Sequence, residues 1–265
     1  MNLGKIKNFL IVLFLGINIY LIFSLVASLS FHIDDKTIEN TVEVLNTAKI
    51  GIDKSVIPKK LTNLKNVETR NVIYTNRFKN SRYYKDFELA NDTFSAEFKN
   101  TEIYNKNNTA VIKNVKKHLS DCGFDTDFMR FSDIKDKDGK KTFTVSCYVQ
   151  KYCFFDSSIK VTVNKKGYSI SGKWYNPQSK DIKSNSKSRE MVYITSVLID
   201  LKENEQIKNS VPVTIKNIEY GYLSDSMYGT TGHVSATALP YYKITDNNNN
   251  VYYYDATDGT YNNKK

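Results

Sequence analysis

Three histidines, His32, His118 and His233, and three cysteines, Cys122, Cys147 and Cys153, are the side chains best suited to metal binding or nucleophilic chemistry. Zinc needs cysteine, histidine or carboxylate ligands at short fixed separations. None of the histidines is read as having such a companion, so no metal site is expected. The cysteines make neither a CxxC pair nor an even disulfide framework. Cys147 and Cys153 fall in an apolar, strand-like run, where cysteine behaves as a small hydrophobe. His118 sits on an expected helix and His32 near the membrane edge; both read as ordinary surface imidazoles, able to titrate near neutral pH.

Two other patterns invite a chemical reading and fail on spacing. Gly167-Tyr-Ser169-Ile-Ser-Gly172 has the residues of a nucleophile elbow, but that motif needs G-x-S-x-G on a strand-to-helix turn. Here the spacing is wrong and both flanks read as strand. Asp136-Lys-Asp138-Gly139 and Asp246-Asn-Asn248-Asn-Asn250 resemble calcium loops, whose twelve positions demand oxygen ligands at one, three, five and twelve and glycine at six. In the first, positions one and twelve are Ile134 and Val145; in the second, position six is Val251. Turn chemistry explains both runs. No glycine-rich phosphate loop is present. No catalytic residue and no cofactor is therefore expected, and a binding or regulatory role is preferred to catalysis.

The elements around these residues read as α+β. An N-terminal transmembrane helix is expected, followed by an ectodomain of antiparallel sheets each packed with a helix. Phe9 to Leu29 carries no charge, and twenty-one helical residues reach about 31 Å, the thickness of a bilayer core. Lys5 and Lys7 precede the segment and Asp34 and Asp35 follow it, so the N-terminus is expected in the cytoplasm and the C-terminal domain outside. Cleavage near Ala27, within Val26-Ala27-Ser28, is the competing reading, and it would release a secreted or wall-associated binding module. Asn18, with Gly16 near it and Ser24 and Ser28 at small-xxx-small spacing, supplies a candidate partner-binding face within the lipid.

Beyond the anchor, Asp34 or Asp35 caps a helix through Ile38, Val42 and Leu45 that Gly51 ends. Strands are expected at 67–78 and 93–104. Thr109 caps a second helix, which Gly123 ends. Strands follow at 128–132, 142–155, 158–164 and 168–175. A third helix runs from 188 to about 207, and strands at 213–223, 232–238, 241–245 and 251–256 close the chain. The layout divides into a tail (1–8), the anchor (9–31), a juxtamembrane helix with first strands (32–106), and two helix-plus-sheet units (107–178 and 186–265). The formal net charge is +10, but lysine is mixed with acidic residues throughout, and no basic stripe with a reading motif points to nucleic acid.

Several short stretches carry a family resemblance. They are Lys5-Ile6-Lys7 leading into Asn18-Ile19-Tyr20-Leu21, then Gly51-Ile52-Asp53 with Ile57-Pro58, and Ala238-Leu239-Pro240-Tyr241-Tyr242-Lys243-Ile244 followed by Tyr254. In these the chain resembles YycI, of the YycH/YycI group of membrane-anchored regulators in Gram-positive bacteria. Where relatives commonly have tryptophan after the proline, this chain has Tyr241 and Tyr242. The resemblance implies association with a WalK/YycG-like sensor histidine kinase that controls cell-wall genes, and with a YycH-like sister protein. It leaves the sign of regulation open.

Overall fold

The computed structural model describes residues 3–28, 32–60, 64–71, 78–90, 93–178, 191–225 and 234–262. Helix α1 (Leu3–Ser28) is 26 residues long, about 39 Å at the α-helical rise. Its residues 11–22 are all exposed, including Phe14 at 71% and Tyr20 at 72%. Among the residues with described side chains, no helix is long and apolar enough to cross a membrane. Within α1 those side chains are residue 7 and residues 11–22.

Helix α2 (Asp35–Thr47) starts where the Asp34 carboxylate accepts the Thr37 N–H at 2.7 Å, and it buries Ile38, Thr41 and Leu45. Burial thus falls at three-to-four spacing, as a helix lying on a core requires. Hydrogen bonds from Thr37 hold the Asp34 carboxyl below its ordinary range. The helix does not end at Gly51. Lys49 takes the left-handed turn (φ 60°), and Gly51 lies in strand β1 (Ile50–Ile52), facing the Thr214 side chain. Helix α3 (Asn108–Asp121) is capped by Asn107, which accepts the Ala110 N–H at 2.9 Å, rather than by Thr109. Gly123, at φ 91°, follows the end of this helix as its spacing predicts.

The strands are β2 (Val67–Asn71), β3 (Tyr84–Ala90), β4 (Thr93–Phe98), β5 (Met129–Phe131), β6 (Lys135–Lys137), β7 (Lys140–Val149), β8 (Tyr152–Asn164), β9 (Gly167–Lys173) and β10 (Tyr175–Pro177). After helices α4 (Ile194–Leu201) and α5 (Glu205–Lys208) come β11 (Val213–Asp225), β12 (Val234–Asp246), β13 (Val251–Asp255) and β14 (Tyr261–Asn262). The chain is sheet-dominated α+β. The single third helix expected over 188–207 is two shorter ones, because the Asn204 side chain accepts the Gln206 N–H and starts a new helix there. Residues 188–190 of that expectation, and 72–77 of the strand expected at 67–78, lie outside the described residues.

Among the described residues the strands form one hydrogen-bonded sheet, with a main path β10-β2-β12-β11-β8-β9-β4-β3. Most pairs are antiparallel, but β1 and β8 each run parallel to β11. Separate antiparallel sheets are therefore replaced by a continuous one, because β8 is shared. Its start pairs with β11 (Cys153 with Gly221), and its later part pairs with β9 on the same edge. The other edge pairs with β7. Elements of 32–106 are divided between the two sides: β1 and β2 pair with β11 and β12 and α2 packs on α4, whereas β3 and β4 join β9. The linker expected between the units falls largely in 179–190, outside the described residues.

Two strand boundaries differ from expectation for identifiable reasons. The run 142–155 is broken by a hairpin in which Gln150 adopts φ 56°, a conformation that glutamine does not advertise. Conversely, β12 passes straight through Pro240. Its carbonyl accepts the Ala256 N–H, so its nitrogen faces the same side, in the gap between the β2 ladder, which stops at Ala238 opposite Val67, and the β13 ladder, which starts at Tyr241 opposite Asp255. No ladder donor is lost there. The hairpins at Asp138-Gly139 (φ 52° and 67°) and Asn164–Gly167 form where the turn residues place them.

At the branch of β8, close approach excludes side chains. A Cβ on Gly221 would collide with the Cys153 carbonyl and the Phe155 ring. Replacing Gly221 with alanine should cost about 1–3 kcal/mol, read as a lower urea midpoint of the full chain in detergent; an unchanged midpoint would refute the close approach. Beside it, the half-buried Asp156 accepts the Ser224 N–H at 3.0 Å, and its partial burial raises its carboxyl from 3.8 to about 6. The folded state thus favours the protonated form. Its contribution is complete below 3.8 and is lost as pH rises to about 6, by about 3 kcal/mol at 1.36 kcal/mol per unit. Asp156→Asn should raise the thermal midpoint at pH 7 and flatten its pH dependence between 4 and 6.

Candidate functional site

A cavity of about 660 Å³ opens between the C-terminal half of α3, the turn at residues 80–83, the turn at residues 100–103 and the start of β9. Its centre is His118. Leu119, next to it, is fully buried with Val111 and Val115 in the core, which leaves His118 half-buried at the helix edge. The imidazole stands edge-on to Phe98 (4.5 Å between centroids) and to Tyr168 (5.6 Å). Phe98 and Tyr168 stack on each other at 4.9 Å because β4 and β9 pair in that register.

Both ring nitrogens are engaged. Ser81 Oγ lies 2.8 Å from Nε2, and the Tyr168 hydroxyl bonds Nδ1. Cys122 Sγ is 3.7 Å from Nε2. Burial lowers the affinity of His118 for a proton, and Asp121 on the same helix opposes this only in part. A serine, an imidazole and a hydroxyl behind it superficially match a nucleophile with its base. The group behind the ring is a phenol whose own proton burial strengthens, not a carboxylate. An imidazolium formed by taking the Ser81 proton would have only Asp121, which is not hydrogen-bonded to the ring, as counter-charge in a site that already disfavours it. The geometry suits holding a ligand better than activating Ser81.

The rim carries Arg82 and Lys117, both exposed, together with Asn80, Asn100, Asn114 and Asp121. The Arg82 guanidinium lies 4.3 Å over the Tyr83 ring. Among the described residues neither cation has a carboxylate within ion-pair distance. His118 is thus not the surface imidazole that the sequence suggests. The signal passed over was its place one helical turn before Cys122, which puts both on one face. Ser81, Asn100 and Tyr168 have no sequence signal, being joined only by the fold. Among the described residues no group of three or more histidine, cysteine or carboxylate side chains is placed to hold a metal ion. His32 is exposed and bridges to Lys60; His233 lies outside the described residues.

The residues expected to bind a partner lie on α1. Gly16 has open space around it, with nothing within 4 Å of an added Cβ. Asn18 donates its amide to the Phe14 carbonyl at 2.9 Å, so one donor is satisfied within the helix. Two residues at about 100° each place Gly16 and Asn18 on nearly opposite sides, with Ser24 and Ser28 between them around the helix. They make two separate faces rather than one. The side chains of Ser24 and Ser28 lie outside the described set.

No known protein family and no curated protein matches the chain. Ten chains of solved structures are similar. An uncharacterized protein from Eubacterium rectale aligns over 86% of this chain and 99% of its own, with TM-score 0.50 and 9% identity, a likeness of fold alone. The C-terminal domain of Bacillus megaterium YpeB aligns over 87% of this chain and 96% of its own, with TM-score 0.30 and 10% identity, too loose for any inference.

The half-buried imidazole has a measurable signature. The His118 ring should titrate by NMR with a midpoint below 6.5, since burial favours its neutral form. Its contribution to stability is present above 6.5 and is lost as pH falls through that midpoint, where the unfolded chain takes the proton first. A midpoint at or above 6.5 would contradict the caged geometry.

Proposed function

We propose that this chain is a single-pass membrane protein whose extracytoplasmic domain and anchor regulate a sensor histidine kinase, in the manner implied by its resemblance to YycI. One observation carries the reading: α1 is a continuous helix whose residues 11–22 expose Ile11, Val12, Phe14, Tyr20 and Ile22 at 51–72%. Contiguous apolar surface of this kind is not left in water, because each buried Å² is favoured by about 25 cal/mol. A bilayer is the environment that matches a helix apolar on all sides. The uncharged run from Phe9 to Leu29, preceded by Lys5 and Lys7, gives it length and direction.

In this reading α1 packs against kinase helices, with Gly16 permitting close backbone approach on one side and Asn18 offering its remaining amide capacity on the other. The ectodomain biases the kinase between two states by binding a partner or ligand, the YycH-like sister protein being the partner that the resemblance implies. An anchor that ends at Ser28, five residues (29–33) before the Asp34 cap of α2, transmits such a bias over a short path.

The test is affinity purification of the tagged full-length protein from native membranes, with mass spectrometry of its partners and of its N-terminal peptide. An intact N-terminus recovered with a sensor kinase is expected. A mature terminus at residue 28 or 29 without a kinase would replace this reading by a secreted binding module. Asn18→Leu should lower kinase recovery about 3- to 30-fold, the equivalent of one polar contact in lipid at roughly 0.6–2 kcal/mol; unchanged recovery would remove Asn18 from the interface.

A further inference from the structure

We propose that the cavity around His118 binds a small acidic carbohydrate, a sugar carrying a carboxylate or a phosphate. This site is separate from α1 and stands whether or not the anchor meets a kinase. Its volume of about 660 Å³ lies within the usual range of ligand pockets, and it is built on packed elements: α3, β9 and the turn that precedes β3.

The rim chemistry selects the ligand. Arg82 and Lys117 are two cations without carboxylate partners among the described residues, and Asp121 is the acid beside them. The lining therefore keeps an excess of positive charge, and an anionic group entering it gains a charge-assisted contact, bidentate where Arg82 provides it. Stacking on Tyr83 holds the guanidinium plane in place. The same contact covers a face of Tyr83, a half-buried ring of the rim, which removes the platform that a nucleobase would use.

The amides select hydroxyl groups. Asn114 spends one N–H on the Ala110 carbonyl at 2.6 Å, which leaves its other N–H as a donor and its oxygen as an acceptor. Asn100 Oδ1 is buried and has no hydrogen-bond partner among the described residues. An unmet buried acceptor is costly, and a donor such as a sugar hydroxyl relieves it. Asn80 completes a set of planar amides able to match adjacent hydroxyls. A ligand with several hydroxyls and one negative group satisfies all of these at once, whereas a simple anion leaves the amides unanswered and a neutral sugar leaves the cations so.

The experiment is calorimetric titration of the full-length protein in detergent micelles with glucuronic acid, glucose 6-phosphate, glucose and inorganic phosphate, at low salt. At least one acidic sugar should bind 10-fold or more tightly than both glucose and inorganic phosphate, and the pair distinguishes carboxylate from phosphate as the preferred anion. An Arg82→Ala, Lys117→Ala double variant should keep its thermal midpoint, since both side chains are exposed, and lose that binding by 10-fold or more. The His118 ring resonances should shift on addition of the acidic sugar. No binding of either acidic sugar at 10 mM, equal binding of glucose or inorganic phosphate, or binding untouched by the double variant would each overturn the assignment.

Discussion

The shared edge of β8 is the constraint on which the rest of the structure depends. Along that one edge the strand first accepts β11 in parallel and then β9 in antiparallel fashion, five residues further on. Both handovers demand backbone approach closer than a side chain permits. A Cβ on Gly221 would meet the Cys153 carbonyl, and one on Gly172 (φ 151°) would meet the Ser158 carbonyl. With glycine at both places, two sets of strands that lie far apart in sequence become one sheet over a continuous core. The same junction bonds the half-buried Asp156 to the buried Ser224, a polar tie where β11 meets β8.

That junction also sets the cavity. Once β9 is registered on β8, its first residues lie beside β4, and Tyr168 stacks on Phe98. Gly167 allows the turn, since a side chain there would run into the Phe98 carbonyl. Helix α3 completes the wall by burying Val111, Val115 and Leu119, which turns His118 toward the Ser81 turn. The floor of the site is therefore sheet and core, and its charged rim comes from turns and an exposed helix face. Rigid support beneath an adaptable rim is the usual construction of a binding site.

Helix α1 stands apart from this arrangement. Its described side chains at 11–22 are all exposed, and the Asn18 amide closes on the helix's own backbone. The next helix, α2, is joined instead to the C-terminal side of the sheet through α4 and β1. Through β1 this helix is tied to β11, the strand that borders β8.

The sequence by itself determined the features that depend on a few neighbouring residues. These are the α+β class, the apolar helix near the N-terminus, the Asp34 cap, the Asp138-Gly139 and Asn164–Gly167 turns, and the turn role of Asp246, whose carboxylate accepts the Asn248 and Asn250 N–H groups. Each follows from local hydrogen bonding or from glycine's freedom at positive φ. The tertiary structure alone decided the Gln150 hairpin, the passage of β12 through Pro240, the division of 32–106 between two sides of the sheet, and the meeting of Ser81, Asn100, His118 and Tyr168. Those depend on which strand lies alongside which, and on how closely two backbones approach. Such long-range pairings arise from the burial of the whole core, so no short stretch of sequence carries them.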